Sequence, residues 1–213
     1  MPVPSAAPPE RQSPWLEIVA AVVLSIASLM TTWSTYQAAQ WSRDQIAAGS
    51  AATVVLLESA RLSSLGGQAI LIDVVTFTNW VQAFSAGDQR AAEFYRERFR
   101  DEFRPAFEAW VASDPLENPE AASSPFALPE YAPARTQEAA ALRDEAARLQ
   151  LEAQTASNNV AYYNRNTLFL ASALFFVALS RMFYKAQVRL AVQLIAIIFL
   201  IVGLLNVLRG PIL

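Results

Sequence analysis

The sequence predicts an all-α membrane protein: three transmembrane helices and an extramembrane helical domain that contains a long antiparallel helical pair and a Pro-rich strap. Three observations carry this. Apolar segments of about span length occur at residues 15–33, 167–184 and 190–208. Between them, small and apolar residues recur at alternating spacings of three and four, the period of a helix face. Five prolines are concentrated in residues 114–133. A chain that is 54% hydrophobic and 16% charged is too apolar for an ordinary soluble domain, and its polar middle is too long for a purely membrane-embedded one.

Residues 1–14 are rich in proline and poor in apolar side chains, which predicts an extended tail. The first span follows, with Trp15 and Trp33 at its ends, about 27 Å apart along a helix. Arg11 followed by residues 18–30 also fits a cleaved signal peptide; an uncleaved anchor is preferred because the apolar run is long enough to span. With Tyr36 and Trp41, the two tryptophans predict the membrane-interface anchors. Ala21 and Ser25, and Ser28 and Thr32, are small-residue pairs that allow close helix approach or simply fill a span.

No breaker follows Trp33 for about eight turns, so the helix is expected to leave the membrane intact until Gly66-Gly67 kinks or breaks it. Ala38, Trp41, Gln45, Ala48, Ala52, Val55, Ser59 and Leu62 share one face. Gln37, Gln40 and Asp44 are placed together as a candidate polar vestibule, should copies form a ring. The run at residues 68–84 contains Asp73 and Asn79. A carboxylate in mid-bilayer costs on the order of 3 kcal/mol. This favours a buried helix of the extramembrane domain, with Ile70, Val74, Phe77, Val81 and Phe84 inward, over a further span. Asp73 is expected to pair with Asn79 or with an arginine.

Asp88 is placed to cap the next helix. There Tyr95, Phe99, Phe103, Phe107 and Trp110 form an aromatic stripe which, with Phe126 and Tyr131 of the strap, is the candidate packing or partner surface. Each of Glu93, Glu97 and Asp101 precedes an arginine by three residues, so Arg96, Arg100 and Arg104 read either as a salt-bridged face or as an anion site. Pro105 is expected to kink or divide the helix.

From Thr136, a candidate N-cap, a seam of Leu142, Ala146, Leu149, Ala153, Ala156, Val160, Tyr163, Thr167 and Leu170 runs into the second span. Its expected partner is the small-residue face after the first span, or the same seam in another copy. Arg181, Lys185 and Arg189 make the connection at 185–189 basic. This predicts a cytoplasmic N-terminus, an extracytoplasmic domain over 34–166 and a short tail at 209–213.

The segments W-S-T-Y-Q-A-A-Q-W-S (Trp33 to Ser42), F-Y-R-E-R-F-R-D-E-F-R-P-A-F-E-A-W (Phe94 to Trp110) and P-F-A-L-P-E-Y (Pro125 to Tyr131) resemble a set of bacterial three-span hypothetical membrane proteins. The resemblance implies the architecture and a bacterial inner membrane, and it implies no activity. The chain has no cysteine or histidine, which removes thiol, histidine-base and zinc-finger chemistry. No catalytic residues, cofactor or metal ligands are predicted. A net charge of −3 gives no footprint for nucleic acid. The expected function is a structural or accessory subunit, with an oligomeric channel as the alternative. The expected partners are the lipid bilayer and further copies or complex subunits.

Overall fold

The computed structural model describes residues 14–115 and 117–212, so the predicted tail lies outside the described residues up to Pro14. Helices account for nearly all of it: α1 (Pro14–Ser85), α2 (Gln89–Arg96), α3 (Arg104–Ala112), α4 (Ala134–Ser180) and α5 (Ala186–Arg209). No strand occurs among the described residues. The chain divides into two compact units, Met1–Ala48 with Leu151–Leu213, and Gly49–Gln150. The division falls inside α1 and α4, each of which contributes to both.

In the first unit α1 and α5 run parallel. The Gln193 amide donates to the Leu16 carbonyl toward the start of both (3.0 Å), and the Trp41 indole, about 25 residues further along α1, donates to the Pro211 carbonyl just past the end of α5 (3.2 Å). Helix α4 is antiparallel to them, with Asn166 donating to Ser34 Oγ at 3.0 Å and Tyr162 to the Asn206 carbonyl at 2.7 Å. The core is made of small and medium side chains, Ala20, Val23 and Ala27 against Leu170, Ala173, Val177, Ala196 and Leu200. A Cβ on Gly203 would lie 2.5 Å from Leu170, so α5 meets α4 at van der Waals limit there. Large apolar side chains, among them Ile18, Leu29, Leu168, Phe175, Ile198 and Leu208, point outward.

Among the described residues two helices, α1 and α5, are long and apolar enough to cross a membrane, where three spans were expected. The expected second span fails because α4 ends at Ser180. From Thr167 that leaves about 14 helical residues of the roughly 20 a span needs. The connection is also shorter in charge than expected: α5 begins at Ala186, so Arg189 lies inside the helix and is buried.

In the second unit α1 buries Ala52, Ser59, Gly66, Asp73 and Trp80, a strict seven-residue repeat. Ser59 Oγ donates to the Ala139 carbonyl of antiparallel α4 at 2.7 Å. The Gly66-Gly67 pair does not break α1, which continues to Ser85. Gly66 instead admits α4, since a Cβ there would stand 2.9 Å from Thr136 Oγ1. The repeat turns Asp73 and Trp80 inward and leaves Val74 and Phe84, expected inside, exposed. Asp88 caps α2 by accepting from Ala91 N–H at 2.9 Å. Pro105 divides the aromatic segment, with α2 ending at Arg96 and α3 opening at Arg104. Thr136 is not the cap of α4, which opens at Ala134.

Both small-residue faces are where the sequence places them. All eight positions from Ala38 to Leu62, and all nine of the seam from Leu142 to Leu170, are buried or half-buried.

Candidate functional site

The densest side-chain arrangement is in the second unit, where α1, the turn after α2, α3 and the strap converge. Phe77 of α1 meets Phe103, Trp110 and Phe126 edge-on, with ring centroids 6.0, 5.4 and 5.6 Å apart. Trp80 meets Phe107 at 4.8 Å. Each such pair adds about 0.5–1.5 kcal/mol to the area it buries. The strap is held by the same groups: Phe126 stacks on Phe103 at 5.0 Å, and the Trp110 indole donates to the Ala122 carbonyl at 2.7 Å. Of the predicted partner surface, Phe99, Phe103, Phe107 and Trp110 are therefore core. Tyr95, Phe126 and Tyr131 pack half-buried against it, so this unit covers its own stripe.

Asp73 lies at the edge of that aromatic cluster with 1% of its surface exposed. Its Oδ2 accepts from Arg100 Nη1 at 2.9 Å and from the Tyr131 hydroxyl at 3.0 Å. Arg100 also pairs with Glu102. Asp73 Oδ1 has no hydrogen-bond partner among the described residues. The expected Glu97–Arg100 pair does not form, because the chain leaves the helix at Glu97, whose near cation is Arg98 at 3.9 Å. The two other predicted pairs do form, Glu93–Arg96 at 3.9 Å and Asp101–Arg104 at 3.8 Å. Both are exposed and contribute at most about 1 kcal/mol. Asn79 takes no part.

Burial raises the Asp73 carboxyl above its usual range, against the lowering effects of the Tyr131 hydrogen bond and the Arg100 charge. Burial, then the Asp73 carboxylate, drives the Tyr131 phenol well above its ordinary value. For Arg100 burial acts downward, but Asp73 and Glu102 together raise it. This is a clamp between α1, a turn and the strap. No nucleophile is paired with a base in it, and no group of three or more metal-ligating side chains occurs among the described residues. Elsewhere in the same unit Trp80, Phe84, Trp110 and Val111 line a mainly apolar cleft of about 210 Å³.

The vestibule residues are not brought together. Gln37 is fully buried in the first unit, whereas Asp44 is exposed and Gln40 is engaged with Tyr36, donating to its hydroxyl at 2.7 Å. Of the interface anchors, Trp15, Trp33 and Tyr36 are exposed and Trp41 is tied to Pro211. Sequence reasoning missed Ser34, Asn166 and Gln193, polar residues buried in an otherwise apolar unit. Their signal is a polar residue on the small-residue face itself. Compared with protein families, with characterised proteins and with solved structures, the chain matches none.

Proposed function

We propose that this chain is a structural or accessory membrane protein, anchored by α1 and α5 with the shorter apolar end of α4 packed against them, that acts by assembly. One observation carries the membrane reading: the first unit is as apolar outside as inside. Alanine, valine, a few leucines and several polar residues fill its interior, while many more leucine, isoleucine and phenylalanine side chains cover its exterior. Only 22% of the apolar window of α1 and 28% of that of α5 is buried, so neither behaves as the core helix of a soluble protein. Water does not tolerate such a surface and hydrocarbon does. The charge rule puts Arg181 and Lys185 in the cytoplasm of a bacterial inner membrane, and with them the N-terminus, so that the polar middle of the chain is extracytoplasmic and the apolar end of α4, packed between the two anchors, leads the chain back across.

The accessory reading is supported by what side chains are spent on. In both units the best-placed groups pack helices or pin the strap. Flotation with liposomes that resists alkaline extraction tests the anchor. Native mass measurement in mild detergent tests assembly: a discrete oligomer or stoichiometric companions support it, and a monomer without companions overturns it.

A further inference from the structure

Arg189 is the least expected residue of the first unit. It is 6% exposed, its Nε has no hydrogen-bond partner, and no described carboxylate lies within ion-pairing distance of it. Glu17, the acid in the first turn of α1, is exposed and makes no pair with it. The Arg189 Nε is a buried donor without an acceptor among the described residues, and desolvating part of a charged group with no counter-charge beside it is costly.

Its position says what relieves that cost. Arg189 is the fourth residue of α5, and helical side chains lean toward the N-terminal end. That end is open: Lys185 is the N-cap and makes no side-chain cap bond, so the N–H groups of the first turn carry the positive pole of the helix without a side-chain acceptor. Arg181 and Lys185, in the connection that leads into α5, are exposed and make no ion pair among the described residues. We infer that the N-terminus of α5, with Arg189 as the buried ligand and Arg181 and Lys185 at the mouth, binds a phosphate oxyanion. A guanidinium fork and a helix N-terminus are complementary to phosphate.

Between the two mouth cations, Met182 and Tyr184 are largely exposed and Phe183 partly so. A run of apolar and aromatic side chains flanked by cations at the end of an apolar helix fits the boundary of acyl chains and headgroups. The phosphate of an anionic phospholipid is therefore the natural source. The lipid source rests on the membrane reading, whereas the oxyanion site does not.

The test is thermal unfolding of the full chain in neutral detergent with three probes: mixed micelles containing phosphatidylglycerol, micelles containing phosphatidylcholine instead, and millimolar inorganic phosphate. Phosphatidylglycerol should raise the midpoint by about 3–6 °C more than phosphatidylcholine. Arg189→Gln should abolish that difference, and Arg189→Lys, which keeps the charge but loses the fork, should retain less than half. An Arg189-dependent shift with inorganic phosphate but not with phosphatidylglycerol supports the site and assigns it to a free anion. No shift with any probe, or a shift that persists in both variants, overturns it. Liposome flotation separates the two readings. A chain that fails to float yet responds to phosphate through Arg189 loses the membrane reading only, and one that floats without such a response loses the site only.

Discussion

Tyr131, in the strap, donates its hydroxyl to the Asp73 carboxylate of α1 at 3.0 Å across 58 residues of chain. The bond ties a segment without long helix to the longest helix of the protein, at a carboxylate that is itself buried. Removing the hydroxyl leaves Asp73 with Arg100 alone. Tyr131→Phe should destabilise the second unit by about 1–3 kcal/mol and expose the strap to protease. Limited proteolysis mapped by mass spectrometry reads this directly, and unchanged cleavage between residues 114 and 133 would count against the clamp.

Asp73 makes the pH dependence run opposite to ordinary acid denaturation. Its folded value lies above the unfolded value of 3.8. The stability it contributes is therefore fully present below about pH 3.8 and is lost as pH rises through the raised folded value. Denaturant midpoints for the native protein and Asp73→Asn, measured at pH 7 and pH 4, should show the native protein gaining on the variant at the lower pH. A constant difference would refute the assignment.

Gly203 and Gly67 should answer the same substitution differently. A Cβ at Gly203 would stand 2.5 Å from Leu170, while at Gly67 nothing lies within 4 Å. Gly203→Ala should cost about 1–3 kcal/mol by overpacking. Gly67→Ala, inside α1, should stabilise by about 0.5–1 kcal/mol through helix propensity. Thermal melts of the two single variants decide it, and equal effects would mean that helix contact at Gly203 is looser than described.

Gln37 is fully buried, and neither its amide oxygen nor its nitrogen has a hydrogen-bond partner among the described residues. Gln37→Leu, close in volume, should therefore raise stability by about 1–3 kcal/mol. Unfolding of the variant that begins earlier than the native protein's would indicate that the Gln37 amide contributes a favourable interaction.

Local sequence determined the helices, their facing surfaces and the strap. The seam from Leu142 to Leu170 and the face from Ala38 to Leu62 are encoded by repeats of three and four residues, which helix geometry alone turns to one side. Asp88 as a cap and Pro105 as a divider are equally local. Tertiary structure decided what those surfaces meet. Arg100 has Glu97 three residues away in sequence, yet it pairs with Asp73, 27 residues distant, because the helix ends between them. Gly66 reads as a breaker in isolation and becomes a contact point once α4 lies against it. The end of α4 at Ser180 shortens an apolar run that composition alone would extend to Tyr184. Periodicity acts over one turn of helix, whereas burial, ion pairing and the choice between close approach and a kink depend on segments that only folding brings together.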